Sequence, residues 1–376
     1  MNEERKNMGR EGNGMSVKPC RYCGAESVYY RHYSGEYLCS RCFTRSVQRK
    51  VARTISRYSM IKHGDRVAVA VSGGKDSLSL LHILSKSARR HGNELVAVTI
   101  DEGITGYRDE SLKIAREFAS MLDVEHAILS YRELFGSTLE EALKARDEKA
   151  ISMSACSICG TFRRKAIDSI AKAVGADVIA TAHNLDDMLQ TFIINISAGD
   201  VERIAWMYPE PVEYANGLRK VKPLLEVYEH EVAFYALIND IPFQSEQCPY
   251  MNEGIRSSIR EFLNALEQKH PGIKYNMLRT ILKVSKVLRD NLEFKRYRCS
   301  VCSRECSTAS GICSSCMLTI MLANSSINSN SSNSSGSSGS SNSNGSSRND
   351  NDSHSNNSNS SSISSNNSNS NNKDQW

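Results

Sequence analysis

The stretch RVAVAVSGGKDS, residues 66–77, decides the fold, because it joins a short apolar run directly to a glycine loop. The run predicts a buried strand, and the apolar-striped segment 78–90 predicts a helix. This order places unpaired backbone N–H groups and the positive end of the helix dipole at the end of the strand. The loop matches neither a Walker A loop nor the dinucleotide fingerprint. We predict a phosphate-binding loop, with a tight turn capped by serine as the alternative. The predicted nucleotide-binding residues are Ser72, Gly73, Gly74, Lys75 and Ser77.

Strands and helices alternate beyond this loop. The strands are almost fully apolar, as expected of a parallel sheet that is covered on both faces. The fold class is therefore α/β, with a doubly wound parallel sheet. The predicted strands are 66–71, 94–100, 124–130 and 177–182, and the predicted helices are 78–90, 111–122, 162–174 and 186–196.

Charge and hydropathy narrow the class of protein. The chain has 376 residues and a formal net charge of +5, which alone does not indicate nucleic acid. Four arginines recur every four residues and form one basic stripe on a predicted helix: Arg45, Arg49, Arg53 and Arg57. The stripe is either a solvated helix face or a contact for a phosphate backbone. An apolar signal region and a membrane-length apolar run are both missing from the sequence, so we expect no membrane and a cytoplasmic location.

Ten of the twelve cysteines fall in C-x-x-C pairs, a pattern typical of metal sites rather than disulfides. Two pairs near each end of the chain predict two four-thiolate zinc sites, whose simplest role is structural. The predicted ligands are Cys20, Cys23, Cys39 and Cys42 in the first site and Cys299, Cys302, Cys313 and Cys316 in the second. Cys306 is an extra cysteine in the second module, and it could replace one of the ligands.

The middle pair, Cys156 and Cys159, has no partner pair, and Cys248 is the cysteine left to complete it. On the residues alone the pair is half of a zinc site, a redox dithiol or part of an iron–sulfur cluster. Acidic residues also follow two predicted strands at the edge where open α/β sheets bind ligands. Asp101 could face a ribose, a base or Mg²⁺, or lie in an ordinary loop. Asp186 and Asp187 could hold Mg²⁺ or cap the next helix.

SGGKDS resembles the loop of the PP-loop ATP pyrophosphatases. The chain also contains DEGI-x-GYR from residue 101, C-x-x-C-G-x-x-RR from residue 156, HNLDD from residue 183 and a late Cys-Pro at 248. Together with the zinc modules, these motifs resemble the cytoplasmic tRNA 2-thiolation family over nearly all of residues 17–323. The resemblance implies that ATP adenylates the C2 oxygen of a tRNA uridine and that sulfur then displaces AMP. The implied catalytic residues are Cys156, Cys159, Cys248, Asp76 and Asp187, and the implied nucleotide or Mg²⁺ ligands include Asp101, Arg163 and Asp186.

The resemblance also implies the cofactors and partners. Besides ATP, Mg²⁺ and two zinc ions, the three central cysteines would hold a [4Fe-4S] cluster with one open iron site. Persulfide chemistry, or a structural zinc on three thiolates, is the alternative. The expected partners are tRNA, a ubiquitin-like sulfur carrier or other sulfide source, and a second copy or related chain as dimer partner. We expect the wobble uridine as the target, with the T-loop uridine as the alternative.

Two other functions stay open. One is a lysidine-type PP-loop ligase, and the other is a non-catalytic zinc-containing tRNA-binding protein. The predicted organisation is a flexible N-terminus 1–16, a zinc module 17–45, a PP-loop ATP-binding domain 46–294, a zinc module 295–323 and a disordered Ser/Asn-rich tail 324–376.

Overall fold

The computed structural model describes residues 18–212, 217–250 and 255–323. The predictions of a flexible N-terminus and a disordered tail lie outside these residues. The strands are β1 Tyr29–Arg31, β2 Glu36–Leu38, β3 Arg66–Ala70, β4 Glu94–Asp101, β5 Glu125–Ser130, β6 Val178–Ala180, β7 Arg219–Val221, β8 Tyr297–Arg298 and β9 Glu305–Cys306. The α-helices are α1 Ser40–Arg57, α2 Lys75–Ala88, α3 Arg108–Met121, α4 Tyr131–Phe135, α5 Leu139–Glu148, α6 Ala155–Ala173, α7 Leu185–Ser197, α8 Val201–Ala205, α9 Glu229–Ile238, α10 Arg256–Lys269, α11 Ile273–Asn291 and α12 Ser314–Ala323.

The central sheet has five parallel strands in the order β5-β4-β3-β6-β7. This order confirms the doubly wound parallel sheet. The four predicted strands are present, and the prediction missed β7, whose three residues include two basic ones. The order reverses between β3 and β6, so the loops after these two strands flank the crevice where such sheets bind ligands.

Helices cover both faces of the sheet. Alternate residues of β3 point to opposite faces, as the pleat requires. Val67 and Val69 join a core with α1, α2, α7, α9 and α11, whereas Ala68 joins a second core with α4, α5, α6 and α12. The two cores fix the strand ends, and with them the loops at the crevice.

Helix α6 begins at Ala155, well before the start predicted at residue 162. The Oγ of Ser154 accepts a hydrogen bond from the backbone N of Ser157 at 3.2 Å and so caps the helix. The C-x-x-C pair therefore lies in the first turns of α6 and not in a loop. Because Cys156 and Cys159 are three residues apart on a helix, they lie on neighbouring positions of one face.

The two small hairpins, β1–β2 and β8–β9, belong to the cysteine-rich ends of the described chain. Helix α1 follows the first hairpin and confirms the predicted basic helix: its four stripe arginines are exposed, whereas Val47 and Val51 are buried. Within the part of the chain that the structure describes, every helix is too short or too polar to cross a bilayer.

Candidate functional site

The glycine loop has the geometry of an anion cradle. Gly73 has a φ of +84°, in the left-handed region that favours glycine. A Cβ at this position would lie 2.6 Å from the backbone O of Ser111 in α3, so a side chain has no room there. Gly74 is less constrained, because its nearest neighbour would be the Ser72 Oγ at 3.5 Å. The loop therefore brings bare backbone to the start of α2, where N–H groups are unpaired.

The hydroxyls of the two loop serines form hydrogen bonds within the loop itself. The Ser77 Oγ donates to the carbonyl O of Gly74 at 2.9 Å and accepts from the backbone N of Ser72 at 3.1 Å. The two hydroxyl oxygens are 3.2 Å apart. Ser77 is buried. Its hydroxyl holds the loop closed, so its place in the structure supports a role in shaping the loop more than direct contact with phosphate.

Lys75 lies between two carboxylates at the first turn of α2. Its Nζ is 2.8 Å from the Oδ2 of Asp76 and 3.1 Å from the Oε1 of Glu229. The Nδ2 of Asn184, in the loop between β6 and α7, donates to the Oδ1 of Asp76 at 3.2 Å. Glu229 was missed by the sequence reasoning, because it reaches the loop from α9, far along the chain. The loop after β3 and the loop after β6 thus meet here, as the strand order predicts.

Asp187 adds a third carboxylate to this region. Its side chain accepts from the backbone N of Asn184 at 3.2 Å in a capping box, so the predicted helix-cap role is present. Burial, with the negative charges of Asp76 and Glu229 as smaller contributions, raises the pKa of Asp187 to about 6. Carboxylates that repel one another beside a phosphate loop form a surface on which a divalent cation is stabilised. Among the described residues, these acids do not form a compact ligand set with oxygens within 4.8 Å.

Asp186 makes different contacts from those of Asp187. It is buried, forms an ion pair with the Nζ of Lys274, and accepts from the backbone N of Glu229 at 2.8 Å. It therefore caps α9 and positions Glu229. Asp101 accepts from the backbone N of Gly103 at 2.9 Å and so shapes the turn after β4. Asp186 and Asp101 were predicted as ligands. In the described structure their contacts position the backbone instead.

The three central cysteines come from two separate segments. Cys159 is buried and Cys156 is exposed on α6, whereas Cys248 lies in the segment that follows α9. Cys248 packs against the apolar cluster that contains Cys159, and the Sγ of Cys156 is 3.5 Å from the carbonyl O of Tyr250. The structure therefore brings the three predicted residues to one region.

The sulfurs of these cysteines are more widely spaced than ligands of a single ion. Within the described ranges, the three do not form a group with all sulfurs within 4.8 Å. Four thiolates on one tetrahedral zinc lie about 3.8 Å apart, given a Zn–S bond of about 2.3 Å. A cluster binds each thiolate through a different iron, so wider spacing suits it. The spacing is therefore not that of a compact set of ligands on one zinc ion.

A chain of charged side chains connects Cys159 with the phosphate loop. The Nη2 of Arg163 is 3.1 Å from the Sγ of Cys159, and its Nε is 2.9 Å from the Oε1 of Glu102. The Oε2 of Glu102 is 2.7 Å from the Nε of Arg108. Arg108 donates to the carbonyl O of Ser72 at 3.1 Å. Glu102 and Arg108 belong to the DEGI-x-GYR stretch, and both are buried.

Arg163 was predicted to bind the cofactor, but in the structure its guanidinium contacts the thiol of Cys159 and the carboxylate of Glu102. The surroundings of Cys159 have opposing effects on its ionisation. Burial raises the pKa of the thiol above its usual range, whereas Arg163 lowers it. A cation that donates to the sulfur stabilises a bound thiolate. Tyr131 holds the same helical turn, because its hydroxyl donates to the carbonyl O of Cys159 at 2.8 Å.

Gln244 makes a second connection between the cysteines and the loop. Its backbone N donates to the carbonyl O of Gly73 at 3.0 Å, and its Nε2 donates to the carbonyl O of Tyr107 at 2.9 Å. Gln244 precedes Cys248 in the same irregular segment. The phosphate loop therefore helps to position the third cysteine, and no local sequence pattern reveals this contact.

The two terminal sets of four cysteines each form a compact group. Within each predicted set, the four sulfurs all lie within 4.8 Å of one another. Contacts of 3.5 Å between the Sγ atoms of Cys23 and Cys39, and of 3.8 Å between those of Cys302 and Cys313, match tetrahedral zinc. Cys306 lies outside both groups. The four-thiolate sets fit the metal for which they were predicted.

Comparison with known proteins agrees with this geometry. Residues 43–267 match the family model described as a PP-loop domain. The chain is 36% identical over 273 residues to the tRNA 2-thiolation protein NcsA of Haloferax volcanii, covering 69% of this chain and 84% of that protein. It is 35% identical over 303 residues to cytoplasmic tRNA 2-thiolation protein 1 of Drosophila erecta, covering 79% and 85%. It also resembles the solved structure of the U34-tRNA thiolase NcsA from Methanococcus maripaludis with its [4Fe-4S] cluster. That match has a TM-score of 0.69 and 30% identity, and covers 81% of this chain and 96% of the other.

Proposed function

Because the chain belongs to the PP-loop family of tRNA 2-thiolation proteins, we propose that it is an ATP-dependent tRNA-uridine 2-sulfurtransferase. The target would be U34, the uridine named for the structural relative. One observation carries the proposal: a phosphate loop and three cysteines outside the terminal modules share one edge of the sheet, joined by Arg163, Glu102 and Arg108. A nucleotide site joined to a sulfur site is the arrangement that activation followed by thiolation requires.

The nucleotide chemistry would proceed as follows. The C2 oxygen of uridine attacks the α-phosphate of ATP, and the bond to pyrophosphate breaks. The backbone of Gly73 and Gly74 and the ammonium of Lys75 stabilise the charge on the phosphates. Asp76 and Asp187, with Glu229 beside them, would hold a Mg²⁺ ion, which would supply positive charge to stabilise the phosphates. Sulfide then attacks C2, and AMP departs with the former C2 oxygen, which leaves 2-thiouridine.

Sulfur delivery would depend on the three central cysteines. Cys156, Cys159 and Cys248 would hold a [4Fe-4S] cluster, and the iron without a protein ligand would supply a site that binds and presents sulfide. Arg163 holds the sulfur of Cys159 through its guanidinium. Most clusters have four cysteine ligands, so three ligands leave one coordination position open.

The outer parts of the molecule would serve this reaction. The modules 17–45 and 295–323 would each hold a structural zinc, and residues 46–294 would form the catalytic domain. The sulfur source would be either free sulfide or a ubiquitin-like carrier protein that ends in a thiocarboxylate. The active form would be a dimer of two copies of this chain, or of this chain and a related one. Relatives named cytoplasmic support a cytoplasmic location.

The test is anaerobic thiolation of an unmodified tRNA transcript by the full chain, after reconstitution with iron and sulfide. We expect AMP and 2-thiouridine by nucleoside mass spectrometry, with ATP, Mg²⁺ and sulfide all required. Replacing Cys156, Cys159 or Cys248 singly with serine should in each case abolish both iron binding and the formation of 2-thiouridine. Cys306→Ser is the matched control and should keep iron, because Cys306 lies in a different module.

Each alternative predicts a different result. An iron-free, colourless protein that still forms 2-thiouridine would contradict the cluster and favour persulfide chemistry. Modification that survives Cys156→Ser would favour a lysidine-type ligase. A protein that binds tRNA yet releases no AMP would be a binding protein. Analysis of each tRNA isoacceptor from a deletion strain would identify the modified uridine.

A further inference from the structure

A deep cleft separates the amino-terminal half of α6 from the second cysteine module. It has a volume of about 1010 Å³, and α7, α8 and the start of α10 complete its walls. Cys156 lies on its wall. We call it the basic cleft, after its five cationic lining residues: Arg164, Lys165, Arg203, Arg256 and Arg304.

Positive charge in the basic cleft is only partly neutralised. The two carboxylates among its described lining residues are already paired: Asp168 with Lys220 at 2.7 Å and with Arg304 at 3.6 Å, and Glu305 with Arg296 at 3.0 Å. Arg203 pairs with Asp200 at 3.1 Å, which lies outside the lining. Arg164 donates to the hydroxyl of Thr161 at 3.4 Å, and among the described residues no carboxylate lies within ion-pair distance of it. The cleft therefore concentrates cations without an equal number of free anions.

The arginines of the basic cleft lie close enough to affect one another electrostatically. Burial lowers the pKa of Arg164, and the positive charge of Arg203 lowers it further. Arg256 is 3.8 Å from the Oδ1 of Asp187, so the cleft extends to the nucleotide site. Clefts lined by one sign of charge attract and retain ligands of the opposite sign.

The second cysteine module forms a fixed wall of the cleft. The Nη2 of Arg304 donates to the Oγ of Ser169 at 2.8 Å, and the Nζ of Lys165 donates to the Sγ of Cys316 at 3.1 Å. These contacts join the module to α6, the helix that carries Cys156. The charges of the cleft are thus held at set positions relative to that cysteine.

We propose that the basic cleft binds the sugar–phosphate backbone of the single-stranded RNA loop that carries the target uridine. This inference rests on the proposed function and adds the place where the substrate lies. The backbone presents one anion per nucleotide to the arginines, and the lining hydroxyl of Ser157 can contact phosphate or ribose. With the backbone in the cleft, the base can face Cys156 and the nucleotide site. The second module would then serve as a wall of the RNA site.

The test measures RNA binding by the full chain, independently of catalysis. The probe is a fluorescent anticodon stem–loop RNA with a uridine at the wobble position, titrated over a range of salt. Arg164→Ala and Arg203→Ala should each weaken binding roughly tenfold, as expected for loss of a charged hydrogen bond. Each should also reduce the slope of log K against log salt by about 0.7, the value per phosphate contact of a single strand. Lys172→Ala is the matched control: it removes one exposed cation from α6 outside the cleft and should bind like the wild type.

The outcomes separate this inference from the proposed function. If the wild type binds the RNA and both arginine variants bind it equally, with the same salt slope, the inference fails while the function stands. If the variants keep RNA binding but lose sulfur transfer from a carrier protein, the cleft is a protein site and the inference is again wrong. If the wild type binds RNA through the cleft yet forms no 2-thiouridine, the inference holds and the function fails.

Discussion

The guanidinium of Arg163 joins a thiol to a carboxylate: its Nη2 lies 3.1 Å from the Sγ of Cys159 and its Nε 2.9 Å from Glu102. A donor aimed at a ligand sulfur stabilises negative charge on it, and hydrogen bonds to sulfur tune iron–sulfur clusters. The side chain is about half exposed, at 49%. It is therefore open to substitution without loss of the core.

We predict that Arg163→Gln shifts the reduction potential of the proposed cluster to a more negative value. Removal of a nearby positive charge disfavours the more negative, reduced cluster. The measurement is an anaerobic redox titration followed by electron paramagnetic resonance. Arg164→Gln, one position along the helix and directed into the basic cleft, should keep the wild-type potential. Equal potentials in all three proteins would show that Arg163 does not tune the cluster.

The two loop glycines should differ sharply in their tolerance of a methyl group. Gly73→Ala requires a left-handed residue, which costs about 1–2 kcal/mol, and places its Cβ 2.6 Å from the Ser111 carbonyl oxygen. We expect ATP binding to be lost or the protein to be clearly destabilised. Gly74→Ala meets only the Ser72 Oγ at 3.5 Å and should be far milder. Isothermal titration with ATP and thermal unfolding test this, and equal effects of the two changes would contradict it.

The buried pair of Asp186 and Lys274 should be a stability element. Lys274→Met leaves a buried carboxylate without its cation, which typically costs about 3–5 kcal/mol. We expect a large loss in the free energy of unfolding by urea, partly restored by the double variant with Asp186→Asn. Lys286→Met, which removes an exposed lysine of the same helix, is the control and should be nearly neutral. Unchanged stability of Lys274→Met would refute the structural role.

His82 should make stability depend on pH. Its Nδ1 is 3.0 Å from the hydroxyl of Tyr235, and burial lowers its pKa to about 4, with Lys86 adding like-charge repulsion. The unfolded chain binds this proton near pH 6.5, so between about pH 6.5 and 4 the unfolded state holds more protons. This contribution to stability is therefore present above pH 6.5 and is lost as the pH falls toward 4.

The comparison of wild type with His82→Asn isolates that effect, because other titrating groups are shared. We expect the wild type to lose more unfolding free energy than the variant between pH 7 and pH 5. Urea unfolding at both pH values measures the difference. Parallel losses in the two proteins would show that His82 does not contribute.

The chain by itself determined the features that depend on local spacing. The phosphate loop, the parallel strands and the four-cysteine groups each follow from residues close together in the sequence, because turn conformation, strand periodicity and metal-ligand spacing are local properties. The basic helix was predictable for the same reason. Helix α6 was predicted too short, since its first turns contain Cys, Ser and Gly, which carry little helical signal.

Only the tertiary structure decided which side chains meet at the site. Glu229 contacts Lys75 although the two are 154 residues apart in the sequence, and Asp186 pairs with Lys274 across 88 residues. Gln244 reaches the glycine loop from a segment without regular structure. No periodicity encodes such contacts, because they depend on how the packed cores place strand ends and helix starts. The sequence therefore determined which chemical groups are present, and the packing of helices on a twisted parallel sheet decided their partners.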